Sequence, residues 1–224
     1  MKTNVELQQD VQEAINWEPL LNAAEIGVIV KDGVVTLTGT VDSYAKKWEA
    51  EKAVKSVRGV KVVIERIDVK LNKSLGTKDD NEIADDLLKA AEWDWQIPKK
   101  QIMAKVEDGW VTLEGEVEWN YQREAAYDIA KNQYGVKGVT NNITIEKPRD
   151  QVEREAIERA LRRNLFIDNS NITVNVSDHS VTLKGSVPSW YQKDKAEKIV
   201  WKARGVQNVN NQLKVIANYY SINC

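Results

Sequence analysis

The chain has 224 residues, with 32 basic and 34 acidic side chains, a net charge of −2 and 42% hydrophobic residues. This balance is typical of a folded globular protein and argues against disorder, while a pI near 5.7 disfavours nucleic-acid binding, which requires a broad basic surface. The single cysteine is Cys224, which excludes an intramolecular disulfide and a cysteine metal cluster.

The first predicted element is an amphipathic helix that ends near Trp17. Its apolar residues Val11, Ala14 and Ile15 recur at helical spacing. The same pattern returns twice, as Leu87, Ala90 and Ala91, and as Ala156, Ile157, Ala160 and Leu161.

The second predicted element is a β-hairpin with an Asp-Gly tip. Residues 32–39 read DGVVTLTG, and they return as DGWVTLEG at 108–115 and as DHSVTLKG at 178–185. Alternating apolar residues on both sides of an Asp-Gly pair are a strong hairpin signal. His179 takes the place of the tip glycine in the third copy, where we expect a positive φ that histidine tolerates better than branched residues do.

A second helix and a last strand complete the pattern. Ser189 and Gln192 have capping-box spacing, and the buried stripe that follows is Ala196, Ile199, Val200 and Ala203, paralleled by Ala50, Ala53, Val54 and Val57. We expect each second helix to end at a glycine. The residues predicted to shape turns and caps are Gly33, Gly39, Gly59, Gly109, Gly115, Gly135, His179, Gly185 and Gly205.

These elements predict an α+β protein of three tandem α-β-β-α-β modules, each a three-stranded sheet with two helices on one face. The boundaries fall near 75 and 147, which gives repeats at 1–75, 76–147 and 148–224, the last with a short C-terminal tail. The repeats differ in charge: 11 basic and 11 acidic residues in the first, 9 and 15 in the second, 12 and 8 in the third. The second is therefore acidic, at −6, and the third basic, at +4.

Catalytic and metal-binding patterns are absent from the sequence. The only histidine, His179, occupies a turn position, and the pairs Asp79-Asp80 and Asp85-Asp86 lie at a helix start, where carboxylates cap and stabilise. We therefore expect no enzyme, no cofactor and no metal, and no small-molecule substrate is evident.

The eight tryptophans are the unusual feature of the composition. Small cores need bulky residues, so we expect most of them to pack between helix and sheet or at contacts between repeats. The alternative is that Trp190-Tyr191 and the Trp119 and Tyr121 pair are partly exposed anchors for a partner or a bilayer interface.

The threefold pattern resembles the BON domain. The resemblance rests on the helix, the DGxVTLxG hairpin, the mid-repeat glycine and the closing GVxxVxNxLxV run, which is residues 205–215 in the third repeat. It covers nearly the whole chain. It implies a non-enzymatic bacterial module of osmotic-stress proteins in the cell envelope, proposed to bind phospholipid.

We therefore predict a non-enzymatic stress-response binding protein, with two functions left open: peripheral binding of anionic phospholipid surfaces, or a structural scaffold whose modules bind each other or protein partners. Basic residues on the two helices of the third repeat are the candidates for an anionic surface. The candidate residues are Arg154, Arg159, Arg162, Arg163, Trp190, Tyr191, Lys193, Lys195, Lys198, Lys202 and Arg204.

The partners expected on this basis are an anionic membrane surface or another envelope component, together with self-association. The first residues contain no apolar signal-peptide core. The chain as written is expected in the cytoplasm, or in the periplasm if an export signal has been removed.

Overall fold

The computed structural model of the chain describes residues 2–71, 78–98, 101–146, 151–164 and 171–216. The predicted boundaries at 75 and 147 and the terminal Cys224 lie outside these residues.

Each repeat contains the predicted order of elements. The first has α1 (Asn4–Asn16), a 3-10 turn (Ala23–Glu25), β1 (Ile26–Lys31), β2 (Val34–Val41), α2 (Tyr44–Ser56) and β3 (Val62–Val69). The second has α3 (Asp80–Trp93), β4 (Ile102–Glu107), β5 (Trp110–Val117), α4 (Asn120–Asn132) and β6 (Gly138–Ile145). The third has α5 (Arg154–Arg162), β7 (Ile172–Ser177), β8 (Ser180–Val187), α6 (Trp190–Val200) and β9 (Asn208–Val215). The predicted α+β fold of three tandem modules is confirmed.

The sheets share one topology, in which the second strand of each repeat is central. It pairs antiparallel with the first strand through the hairpin. In the second and third repeats the last strand lies parallel to it on the other side. A parallel neighbour requires a crossover connection, and the second helix of the repeat supplies it.

Short polar motifs start several helices. Thr3 and Glu6 form a closed capping box on α1, and Asp79 and Glu82 form another on α3, as predicted for the aspartate. Ser189 caps α6 by accepting a hydrogen bond from the Gln192 N–H at 3.2 Å.

Each second helix ends before the predicted glycine: α2 ends at Ser56, α4 at Asn132 and α6 at Val200. Val57 and Ala203, which were predicted to belong to the buried helix stripes, therefore lie beyond the helices.

The hairpin tip of the third repeat is held by a different contact from that of the second. Lys137 Nζ donates to the Asp108 carbonyl at 2.8 Å, and a Cβ atom at Gly109 would lie 2.9 Å from the Gly135 carbonyl oxygen, so a side chain there would require a local shift in the second repeat. The third repeat has Gln207 at the lysine position. The His179 ring instead donates from Nδ1 to the Gly205 carbonyl at 2.9 Å.

The predicted positive φ at His179 is wrong. The non-glycine residues with positive φ in the described part of the chain are the tip aspartates Asp32, Asp108 and Asp178, at 50–52°. Aspartate tolerates the left-handed region because of its short polar side chain. The ring of His179 therefore fixes the tip through a hydrogen bond rather than through backbone strain.

The glycine that closes each DGxVTLxG motif is required by a close backbone approach. Gly39, Gly115 and Gly185 have φ of 123–139°. A Cβ atom on any of them would overlap the carbonyl oxygen of the residue before the first strand. The recurrence of this glycine therefore reports on the fold.

The last strand is tied to the second helix by an asparagine. Asn141 donates from Nδ2 to the Arg123 carbonyl at 3.2 Å, and Asn211 donates in the same way to the Lys193 carbonyl at 3.0 Å. The Oδ1 atom of each accepts from the backbone N–H two residues later. These part-buried hydrogen bonds fix the position of the helix over the sheet.

The chain divides into two compact units. The first contains residues 1–39, 49–67 and 148–224, and the second contains residues 40–48 and 68–147. The first repeat contributes to both units.

Candidate functional site

A groove of 820 Å³ lies between α5 and α6 in the third repeat. Its floor consists of small and aliphatic side chains, namely Ala156, Ile157, Ala160, Ile199 and Ala203. Three of the predicted basic residues line it: Arg163, Lys202 and Arg204. We call this the basic groove. Since α6 ends at Val200, Lys202 and Arg204 come from the turn that follows it, while Arg163 caps α5.

The other predicted basic residues do not line the basic groove. Arg154 forms an ion pair with Glu158 at 2.8 Å along α5. Arg159, Arg162 and Lys198 are exposed, and Lys195 is half-buried. The structure therefore separates the predicted set into a convergent group of three and a dispersed remainder.

Trp190 and Lys193 lie at a contact between repeats. The Trp190 indole N–H donates to the Lys61 carbonyl of the first repeat at 3.0 Å, and Lys193 Nζ lies 5.1 Å from the centre of the Trp190 ring. Desolvation raises the pKa of Asp194 on the same helix, and the Lys55 ammonium of the first repeat opposes that rise. Tyr191, the next residue along from Trp190, is 42% exposed.

The expectation that most tryptophans are covered is wrong for half of them. Trp17, Trp93, Trp95 and Trp110 each expose more than half of their surface. The remaining four, Trp48, Trp119, Trp190 and Trp201, are half-buried. Trp48 serves a contact between repeats, because Lys131 of the second repeat stands 3.6 Å from its ring centre.

Three of the four carboxylates near residue 80 have structural partners. Asp79 caps α3, Asp80 accepts from the backbone N–H groups of Asp108 and Gly109 at 2.8 Å, and Asp86 pairs with Lys78, which lowers the pKa of Asp86. Among the described residues no group of three or more His, Cys, Asp and Glu side chains could hold a metal ion. In the same part of the chain no helix is long and apolar enough to cross a membrane.

The fold and the repeat define the class of the protein. The BON domain model matches three times, at residues 3–70, 79–147 and 149–217. These matches cover most of the chain, which therefore belongs to the BON domain family.

One curated protein is similar in sequence to most of this chain. The osmotically-inducible protein Y of Escherichia coli (strain K12) is 28% identical over 159 residues, which is 67% of this chain and 79% of the relative.

Two solved structures of CdsD, a structural protein of the Type III secretion system of Chlamydia trachomatis, are also similar. Both are 17% identical to this chain, with TM-scores of 0.26 and 0.25. The match to the first structure covers 93% of this chain and 91% of the CdsD chain. The match to the second, which is the C-terminal domain of CdsD, covers 96% of this chain and 100% of that domain.

The floor of the basic groove was missed by sequence reasoning. Ala156 and Ala160 were predicted only as apolar residues at helical spacing, and the structure shows that both are half-buried and line the groove. Their small size was the available signal, because alanine at a helix contact leaves space above it.

Proposed function

We propose that this chain is a non-enzymatic binding protein of the osmotic-stress type, and that its third repeat binds anionic phospholipid surfaces. The observation that carries the proposal is the convergence of Arg163, Lys202 and Arg204 on one groove with an apolar floor.

The chemistry of the groove fits a phosphate headgroup. A guanidinium binds phosphate through two parallel hydrogen bonds, whereas an ammonium acts as a point charge. Basic groups near an anionic membrane contribute about 1 kcal/mol each. Three of them on one groove give useful attraction without an enclosed pocket.

The attraction is local rather than a property of the whole chain. The third repeat carries +4, but the chain as a whole carries −2, and Glu153 also lines the groove. Exposed charges are screened by salt. Binding is therefore expected at low ionic strength and lost at high ionic strength.

Exposed aromatic residues support contact with the membrane interface. Tyr191 is exposed at the start of α6, and Trp17 is exposed at the end of α1. Tyrosine and tryptophan favour the headgroup level of a bilayer, where one side of the ring is apolar and the other is wet.

Sedimentation with vesicles tests the proposal. Wild-type chain should sediment with phosphatidylglycerol vesicles at low salt and stay in solution with phosphatidylcholine vesicles. The double variant Lys202→Glu/Arg204→Glu should lose retention. Its matched control is Lys184→Glu/Lys214→Glu, which makes the same charge change at two exposed strand residues of the same repeat and should keep most of it. Equal loss of retention in both variants would mean that net charge, and not the basic groove, determines binding. No retention of the wild type would refute the proposal.

A scaffold is the second candidate, and specific contacts favour it. The Trp190 and Lys61 hydrogen bond joins the third repeat to the first, and the hydroxyls of Tyr44 and Tyr127, 3.2 Å apart, join the first to the second. Residues committed to such contacts are not available to a membrane. If vesicles fail to retain the chain, these contacts leave the scaffold as the better account.

A further inference from the structure

The second repeat contains an apolar cleft of 720 Å³ that the sequence pattern does not predict. It lies between its helices and its sheet, and its walls include Leu87, Ala91, Ile102, Ala104, Leu113 and Ile129. Leu87 and Leu113 belong to the buried core, so the cleft reaches the interior. Its volume is in the range of sites that bind small molecules, roughly 300–1,000 Å³.

The internal repeat explains why the cleft is there. The position of Ala91 is held by Ile15 in the first repeat and Leu161 in the third, and the position of Ala104 is held by Val28 and Val174. All four larger residues are buried, with 8% exposure or less. Ala91 is half-buried and Ala104 is exposed. The second repeat thus has alanine in place of two core side chains, and its core is open along β4.

The mouth of the cleft carries exposed apolar side chains. Trp93, which lines it, is 89% exposed, and Leu88 is 64% exposed. Trp95, two residues after Trp93, is 85% exposed, and its ring centre lies 6.5 Å from that of Tyr121. Exposed apolar groups of this size beside a cleft mark a binding site more often than an ordinary surface.

An acidic depression of 450 Å³ adjoins the cleft. Both are lined by Ile129, and residues 94–98, which follow α3, border both, with Ile97 and Pro98 at the cleft and Asp94 and Gln96 at the depression. Tyr121, Glu124 and Asp128 also line the depression. The repeat as a whole carries 9 basic and 15 acidic residues.

We propose that the cleft binds the alkyl chain of a single-chain amphiphile with a cationic head. The walls are apolar apart from the Glu92 carboxylate, so they accept a hydrocarbon and offer few hydrogen-bonding groups to a polar ligand. The acidic depression and the aromatic rings of Trp95 and Tyr121 favour a cation, which is attracted to carboxylates and to the face of an aromatic ring. The site is independent of the basic groove, which has the opposite charge.

Calorimetry of the full chain with dodecyltrimethylammonium, below its micelle concentration, tests the proposal. Wild-type chain should bind one molecule saturably, and the bound ligand should raise the melting temperature. Laurate, with a chain of the same length and an anionic head, should bind at least about ten-fold more weakly, which corresponds to about 1.4 kcal/mol.

Two variants and a control distinguish the cleft from the general surface. Ala91→Leu/Ala104→Val installs the residues of the third repeat and should weaken binding at least about ten-fold, because the alkyl chain loses its space. Met103→Leu, an exposed change on the same strand, should leave binding unaltered. Asp94→Asn/Glu124→Gln should leave the cleft intact but reduce the difference in affinity between dodecyltrimethylammonium and laurate, because it removes two carboxylates from the depression.

The results that would overturn the proposal are equally specific. No saturable binding by the wild type, or equal binding by the filled variant, would reject the cleft as the site. Equal affinity for laurate and dodecyltrimethylammonium in the wild type would reject the cationic head. Binding to neutral phosphatidylcholine vesicles without binding of the free amphiphile would show that a bilayer, and not a single chain, is the ligand.

Discussion

The second and third repeats share one fold but present surfaces of opposite charge. The third fills its core with Leu161 and Val174 and presents a basic groove between its two helices. The second has Ala91 and Ala104 at those positions and opens its core as an apolar cleft. The charges follow the same division, at +4 and −6. The sheet topology and the strand lengths are thus the same in the two repeats, while the helix lengths and the side chains around the helix pair differ.

The comparison teaches which residues maintain the fold and which are free to change. In both repeats the tip aspartate has the same positive φ, the closing glycine makes the same close backbone approach, and the asparagine of the last strand donates to a carbonyl of the second helix. None of them lines the basic groove or the cleft. Residues common to the repeats therefore maintain the fold, and residues that differ between the repeats line the two proposed sites.

The largest expected effect falls on the shared frame. Gly115→Ala and Gly185→Ala should each destabilise the chain by more than about 2 kcal/mol, because the new Cβ would overlap a backbone oxygen and the φ is positive. Urea denaturation measures it, with Lys184→Ala as the adjacent control. A cost no greater than that of the control would mean that the close approach is not maintained in solution.

The next effect separates the two cores at one position. Leu161→Ala should cost about 2–5 kcal/mol in urea denaturation, since it empties a packed site. Ala91→Leu at the equivalent place should cost less than about 1 kcal/mol or stabilise, because the cleft has room. If Ala91→Leu instead destabilises by about 1–3 kcal/mol, as overpacking does, the second core is closed in solution and the cleft is not a site.

A smaller effect is expected at the contact between the first and third repeats. Trp190→Phe removes the hydrogen bond to the Lys61 carbonyl and should cost about 0.5–1.5 kcal/mol. Tyr191→Phe, a change at the exposed neighbouring residue, should cost less. Equal values in urea denaturation would mean that the indole hydrogen bond does not contribute to joining the repeats.

The smallest effect concerns the helix starts and depends on pH. The Thr3 backbone N–H lowers the pKa of the Glu6 carboxyl, whereas α5 begins at Glu153 without a side-chain cap bond. A lowered folded pKa means that the stabilisation is present above the unfolded pKa, about 4.3 for glutamate, and is lost as the pH falls through the folded value.

Glu6→Ala should therefore lower the melting temperature slightly at neutral pH, and the difference should vanish in acid. Glu153→Ala, at a helix start without a side-chain cap bond, is the matched control. Thermal melts of both variants and the wild type across the acidic range provide the measurement, and a pH-independent loss for Glu6→Ala would remove the capping carboxylate from the account.

Much of the fold was predictable because its signals are local and occur three times. The hairpin register follows from the Asp-Gly tip and the alternating residues beside it. The central position of β8 was not predictable. The hairpin places β7 beside β8, but the sequence does not show on which side of the hairpin the crossover through α6 places β9. The early end of α6 was missed because Ala203 continues the helical spacing into the turn.

The candidate sites were predictable only in part. Sequence reasoning found Arg163, Lys202 and Arg204 among eleven candidates, but their convergence depends on how α5 packs on α6. Alignment of the repeats shows Ala91 and Ala104 where the other repeats have larger apolar residues. Alanine within an apolar pattern is, however, also typical of a filled core, so the sequence alone did not indicate a cleft. The exposure of Trp93 and Trp95 had no sequence signal, because a tryptophan at a helix end packs or projects according to its neighbours.

The central claim, that the two repeats bind ligands of opposite charge at separate sites, is tested most directly by crossing both variants with both ligands. Lys202→Glu/Arg204→Glu should lose retention on phosphatidylglycerol vesicles and keep its affinity for dodecyltrimethylammonium. Ala91→Leu/Ala104→Val should keep retention on the vesicles and lose the amphiphile. A variant that loses both ligands, or a pair of variants that lose neither, would contradict the account.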